Sequence, residues 1–462
     1  MLEATTFEKV PQLKGSWLDK LCFTTRLENP TTHSIWQKHA IVTIITLSAF
    51  TAPFASNILF PSFATLLEYF DTTESNVSLV TTVFLIGQAT APLWWSTLSQ
   101  EYGRRPILIF SFLLSMVAVI ACALSNHFPL VILFRFIEAV GCSSAQSVGA
   151  GVIGDIYIST ERGSALGWFY MGTLLGPLMS PIIGGGLQAW LGWRANLYFM
   201  GIFTFSVAML TMLLLPETLV QHESQEKQPW FQALKRDVVA PLPKLKFLLV
   251  PSIALPVAYV SICYGSLYSL TTTLPFAYSA QPYNFSSIEI GLCYISNCAG
   301  YAIGSVVGGK LSDAKLRQSQ LIHNGEIHPV ERLKTAWYGV GFVPAGLLIY
   351  GWLIDRKAFW ITPLIGAFLF GLGFMLVTST VMPFLVDIRP GVGASVVADL
   401  NLARNIMAAI GTVVSPIAKA KIGYGWWMSI LAAMCTLAVS FIVVVVWRED
   451  SAKKIRRESA MT

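Results

Sequence analysis

STLSQEYGRRP, from Ser96 to Pro106, stands between two apolar runs each long enough to cross a bilayer as a helix. Hydrophobicity stops abruptly there: Gln100, Glu101, Gly103, Arg104 and Arg105 follow one another within a few positions. An arginine at the centre of a bilayer costs about 2.5–3.5 kcal/mol, so the segment reads as a short surface turn joining two spans. A related stretch, GGKLSDAKLRQ, Gly308 to Gln318, follows the eighth apolar run as the first follows the second. It too reads as a turn, with Gly309 and Asp313 aligned on Ser96 and Gln100. One polar pattern at the same place in two halves argues for an internal duplication, a common architecture of transport proteins.

Working outward, the rest of the chain has the composition of a membrane protein. Of 462 residues, 54% are hydrophobic and 12% charged, about half the charge of a soluble domain. Apolar runs recur near 40–61, 77–98, 106–125, 128–150, 164–190 and 195–215, and again near 247–273, 288–311, 335–355, 359–383, 394–418 and 425–447. The expected fold is therefore all-α, with twelve transmembrane helices in two six-helix bundles. A polar stretch from Glu217 to Asp237 separates the two sets. The domain reading is a tail over 1–39, a bundle over 40–216, a linker over 217–246, a bundle over 247–447 and a tail over 448–462.

Orientation follows from the distribution of positive charge. With the amino terminus in the cytosol, about 24 of the 31 Lys and Arg fall on the inner side, about 5 outside, and two, Arg135 and Arg404, inside spans. Both termini are then cytosolic, and residues 1–39 lack the apolar core of a secretory signal. The net charge of +6 is explained by anchoring against anionic lipid, with no need for nucleic acid. The seven cysteines are scattered without metal or redox spacing, so neither a metal nor another cofactor is expected.

Two spans carry charge in their interior. In VILFRFIEAVGC, Val131 to Cys142, Arg135 and Glu138 lie three apart and share a helix face. Continued by Ala139, Cys142, Ala145, Gln146 and Gly149, that face is expected to line a central cavity. In DLNLARN, Asp399 to Asn405, Asn401, Arg404 and Asn405 share a face. Asn57, Gln88 and Asn297 add uncharged groups able to orient a ligand or to hold helices together. The expected substrate cavity is Asn57, Gln88, Gln146, Asn297, Asn401 and Arg404. Arg404 leans the cavity toward anionic substrates or bridges to backbone carbonyls. No histidine falls within a span; Asp155 and Asp399, near the cytosolic edges, are the next acids to consider. The run GTLLGPLMSPIIGGG, Gly172 to Gly186, is too rich in glycine and proline for a soluble helix but suits close packing, or a hinge, in a membrane.

These motifs taken together resemble the major facilitator superfamily, and within it the fungal twelve-span drug:proton antiporters of the quinidine-resistance group. STLSQEYGRR is similar to the superfamily turn G-x-L-a-D-r-x-G-R-R, keeping Leu98, Gly103, Arg104 and Arg105 but not the glycine and acid at Ser96 and Gln100. Gly172, Gly176 and Pro177 match the antiporter motif G-x-x-x-G-P-x-x-G-G, with Gly184 and Gly185 supplying later glycines. RFIEA resembles R-x-x-Q-G, with Glu138 in place of glutamine. Further matches are ASNILFP (Ala55 to Pro61), GAGVIGD (Gly149 to Asp155), ERG (Glu161 to Gly163), LPETL (Leu215 to Leu219), VERLK (Val330 to Lys334) and LVDIRPG (Leu385 to Gly391).

The resemblance implies that Arg135, with Glu138, couples transport to protons, Glu138 being either the proton carrier or a structural counter-ion. It implies gating roles for Gly103, Arg104, Arg105, Asp155, Glu161, Arg162, Gly172, Gly176, Pro177, Gly184, Gly185 and Asp313. The expected function is proton-driven export of small organic molecules or drugs from a single chain in the plasma membrane. The alternative is a dedicated exporter of an organic acid or secondary metabolite. A membrane sensor is disfavoured because the tails are too short for a folded signalling domain. An enzyme is not expected: no catalytic residues, metal-ligand cluster or phosphate-cradling loop is found.

Overall fold

The computed structural model describes residues 34–157, 162–219, 249–322, 329–388 and 393–461, and all regular elements among them are helices. In the first half these are α1 (Ile35–Asn57), α2 (Glu74–Tyr102), α3 (Arg104–Leu124), α4 (Phe128–Ile156, kinked at Ser143), α5 (Arg162–Leu191) and α6 (Trp193–Leu214). The second half has α7 (Pro251–Ser279), α8 (Ser287–Ile322), α9 (Val330–Asp355, in short segments) and α10 (Ile361–Asp387). The last helical run, Gly393–Met461, is two helices broken at Gly423, whose φ of 81° and ψ of 170° are not helical. We call the parts α11 (393–422) and α12 (424–461). Gly192, between α5 and α6, has the same φ of 81° and ψ of 170°. Each half thus makes its fifth-to-sixth turn through a glycine in a conformation that a Cβ would strain.

Two boundaries depart from the sequence expectation. α1 begins five residues before position 40, because Ser34 and Gln37 form a reciprocal capping box. Gly308 to Gln318 is not a turn: it lies within α8. Its first glycine serves packing. A Cβ on Gly308 would run into Ser379 Oγ and the Leu376 backbone of α10, so glycine is what allows α8 and α10 to approach. Only Gly103 interrupts the first-half segment, with φ 103°. The linker expected over 217–246 and the tail over 1–39 lie mostly outside the described residues.

The two halves meet chiefly where α2 packs on α11 and α5 on α8. We call the end of the bundle holding Ile35 and the close of α12 the terminal end. At the opposite end the halves are packed together. One buried cluster there runs from Phe60 and Phe63 in the first half to Tyr268, Phe276 and Tyr294 in the second. The Phe60 and Tyr294 rings stack at 6.0 Å and those of Phe63 and Phe276 lie 5.7 Å apart. Gly185 of α5 and Gly291 of α8 bring backbones into contact; a Cβ on Gly185 would lie 2.6 Å from the Ser287 carbonyl oxygen. Lys419 Nζ of α11 donates to both carboxylate oxygens of Glu74 of α2 at 2.7 Å. Toward the terminal end, a second cluster around Ile41, Trp95, Phe112, Val152 and Phe169 belongs to the first half alone. Side-chain packing therefore joins the halves at the opposite end, while this second cluster does not bridge them.

Candidate functional site

A central cavity of about 100 Å³ lies between the halves. Four of the six residues expected in a substrate cavity line it: Asn57 at the end of α1, Gln88 on α2, Asn297 on α8 and Arg404 on α11. Pro177 on α5 is also on its wall. The other two, Gln146 and Asn401, line a separate vestibule of about 180 Å³ toward the terminal end, with Ser96, Gln100 and Tyr170. A polar residue in an apolar span must face protein or water, and that rule finds the lining while leaving its depth open. The sequence reading passed over Tyr264, Tyr268, Tyr294 and Tyr301, which form much of the cavity wall. Tyrosine is amphipathic and fits a core as well as a binding wall, so its type alone gave no signal.

Among the described residues, Arg404 is the single charged residue on the cavity wall. Its guanidinium lies 5.0 Å from the Tyr264 ring centre. Its Nε is buried without a hydrogen-bond partner, and so are Gln88 Oε1, Asn297 Oδ1 and Tyr301 Oη around the same space. Unpaired buried polar atoms are rare in folded proteins because each costs about 1–3 kcal/mol. Four such atoms belong to residues lining this cavity, where they are available to polar groups of a bound molecule.

Arg135 and Glu138 pair as their spacing predicts. Arg135 Nη1 donates to Glu138 Oε2 at 2.9 Å and Nη2 to the Ala55 carbonyl oxygen at 3.0 Å, while the guanidinium lies 4.4 Å from the Phe84 ring centre. Both residues are buried, and neither lines the central cavity. This corrects the expectation that their stripe faces the cavity. Ala139 instead packs on Gly87 of α2, and Gly149 on Ile45 of α1 and Phe169 of α5; of the stripe, Gln146 alone reaches the vestibule. A helix with neighbours on every side has several buried faces, and spacing does not say which of them is open. Glu138 Oε1 keeps no hydrogen-bond partner. Asp399 is also fully buried, with neither carboxylate oxygen bonded.

At the terminal end the turn residues form a charged cluster. Arg104 Nε donates to Asp155 Oδ2 at 3.2 Å and Nη1 to Ser99 Oγ at 2.8 Å. Glu217, placed by sequence in the linker, caps α3: its two carboxylate oxygens accept from the backbone N–H groups of Arg104 and Arg105 at 2.9 and 3.1 Å. A Cβ on Gly103 would lie 2.5 Å from Glu217 Oε2. Arg105 donates to the Met212 carbonyl oxygen. The second half repeats the design. Arg332 Nε donates to Asp387 Oδ2 at 3.1 Å, and Nη1 donates to Ser312 Oγ at 3.1 Å and Asp313 Oδ1 at 2.7 Å.

Ser99 and Ser312 occupy equivalent positions in the aligned segments, so the serine and the acid at the foot of the fourth helix of each half recur. The partner of Asp313 is Arg332 of VERLK, which proximity in sequence did not indicate. Gln100, where Asp313 stands in the other copy, forms no such pair and faces the vestibule. Glu161 lies outside the described residues; Arg162 opens α5.

Gly172, Gly176, Gly184 and Gly185 of α5 are close-packing positions. A Cβ on Gly172 would lie 2.5 Å from the Thr46 carbonyl oxygen and one on Gly176 2.8 Å from the Phe54 backbone nitrogen, both on α1. One on Gly184 would strike the Ile58 carbonyl just beyond α1. α5 runs unbroken through Pro177 and Pro181.

Comparison with known proteins agrees with this architecture. The chain is 28% identical to the MFS antiporter QDR3 of Candida albicans, over 90% of this chain and 78% of that protein. It is 27% identical to quinidine resistance protein 3 of Saccharomyces cerevisiae, over 89% and 83%. The fold matches a crystal structure of a D-xylose–proton symporter with a TM-score of 0.66 at 16% identity, covering 87% of this chain and 97% of that one. The model of the Major Facilitator Superfamily matches residues 45–412, a span that takes in both charged clusters, the cavity between the halves and the buried pair on α4. The chain therefore belongs to the major facilitator superfamily of membrane transporters.

Proposed function

We propose that this protein is a proton-coupled antiporter that exports small organic molecules by alternating access, with both termini in the cytosol of a cell whose plasma membrane it spans. The observation that carries the reading is the asymmetry of the interior. A cavity with unpaired polar groups lies between two halves that are joined at one end by Glu74–Lys419 and ring packing and share a vestibule toward the other. That is the shape of a transporter ready to load from the side of its termini. The excess of Lys and Arg at that end supports its being cytosolic, and relatives named as antiporters support exchange.

Coupling is assigned to Glu138. Ionised, it is held by Arg135 in the sealed state; when the opposite end opens and water reaches the pair, it takes a proton from outside as substrate leaves. The charged cluster of Arg104, Asp155 and Glu217 and its counterpart around Arg332 steady the helix ends that move, and the α5 glycines let that helix slide against α1.

The test is gradient-driven flux in liposomes holding the purified protein, for panels of labelled lipophilic cations and small carboxylates, with wild type and Glu138→Gln. Flux driven by a proton gradient in wild type and uncoupled from it in the variant is expected. Flux indifferent to the gradient rejects the antiporter; gradient-driven flux retained by the variant reduces Glu138 to a structural counter-ion. A dedicated organic-acid exporter is the second reading, favoured by the lone Arg404 in the cavity.

A further inference from the structure

We infer that the central cavity selects a single-ring aromatic carboxylate, held by Arg404. The inference deepens the transport reading and rests on it only for the claim that the bound molecule is then moved.

Charge decides the sign of the ligand. Among the described residues no carboxylate forms an ion pair with Arg404, and its Nε has no hydrogen-bond partner. Arg404 is half-buried with its Nε cut off from solvent and unpartnered, and a charged partner arriving with good geometry would satisfy it. Carboxylate matches the planar guanidinium fork with two parallel hydrogen bonds. A cationic ligand would add a second positive charge to a space holding no negative one.

Shape decides the body. The Arg404 guanidinium lies over the Tyr264 ring, and Phe60, Tyr268, Tyr294 and Phe374 add aromatic side chains around the same space. Rings so placed favour a flat π-surface by offset and edge-to-face contact, at about 0.5–1.5 kcal/mol per pair beyond burial. The volume, about 100 Å³, is well below the roughly 300–1,000 Å³ of pockets for drug-sized ligands, which favours a single ring over a fused polycycle. The unpaired Gln88, Asn297 and Tyr301 groups offer partners to a ring hydroxyl.

The experiment is equilibrium binding of radiolabelled benzoate to the purified full chain in detergent, with no gradient, competed by 4-hydroxybenzoate, benzamide, benzylammonium and cyclohexanecarboxylate. Saturable binding of benzoate is expected, with 4-hydroxybenzoate binding at least as well. Benzamide and benzylammonium should compete at least tenfold more weakly, and cyclohexanecarboxylate should fall between. Arg404→Gln should weaken benzoate at least tenfold and leave benzamide unchanged, with Arg404→Lys intermediate.

Absence of saturable benzoate binding, or equal competition by benzamide, overturns the inference on the wild-type protein alone, whatever the variants' folding. Benzoate binding unchanged in a folded Arg404→Gln protein overturns the role of Arg404. Because no gradient is applied, loss of proton coupling with benzoate binding intact rejects the antiporter and spares the site. Coupled flux of other compounds without benzoate binding does the reverse.

Discussion

Removing either member of the Arg135–Glu138 pair leaves the other charged group buried with no ionic partner. Breaking a buried pair from one side costs about 3–5 kcal/mol, while replacing both members by apolar residues of similar volume is often neutral. Arg135→Met is therefore expected to lower the melting temperature of the purified protein sharply, and Arg135→Met/Glu138→Met to recover most of the loss. Gradient-driven flux should stay absent in the double variant although the fold is restored. Recovery of coupled flux along with stability would make the pair purely structural. On the proposed coupling role, stability and coupling should separate at this pair, because the first needs only a partner for each charge and the second a group that exchanges a proton.

At the scale of the helix, the start of α3 shows how a short turn is specified. Gly103 has a φ of 103°, and the space a Cβ would occupy is filled by the Glu217 carboxylate that caps the next two residues. Losing a capping carboxylate costs about 0.5–2 kcal/mol, and a negative charge at a helix N-terminus adds about 0.3–1 kcal/mol. Glu217→Ala should reduce the melting temperature modestly, and Gly103→Ala more, since it strains the backbone and displaces the cap together. Equal melting temperatures for wild type and Gly103→Ala would contradict the packing described. Helices were legible in the sequence because apolar runs of membrane-crossing length admit few other structures, and Asn57, Gln88, Asn297 and Arg404 were legible as polar interruptions of such runs. Gly308 was misread because glycine serves turns and close packing alike, and Ser379 on α10, seventy residues on, decides which. Glu217 was hidden for the same reason: its partners are at the head of α3, more than a hundred positions away.

Across the whole molecule, the two halves are tied at the end far from the termini by an ion pair joining α2 to α11, Glu74 with Lys419. Lys419 Nζ also lies 5.7 Å from the Phe276 ring centre and 5.1 Å from that of Tyr424, so its charge is held on one side by a carboxylate and on the others by aromatic faces. The two side chains are 31% and 18% exposed, and partly exposed pairs contribute about 0.2–1 kcal/mol. A contribution of that size leaves the fold intact but would matter for the alternating access proposed, since about 1 kcal/mol changes the ratio of two states roughly fivefold. Glu74→Gln should therefore raise the population open at that end by up to about fivefold, read as the fraction of long distances between spin labels placed on the two halves there. The exchanged pair Glu74→Lys/Lys419→Glu should restore much of the closed population, because the attraction survives reversal of its sign. An unchanged distance distribution in Glu74→Gln would mean that ring packing around Phe60, Phe63 and Phe276 and the Gly185–Gly291 approach close that end unaided.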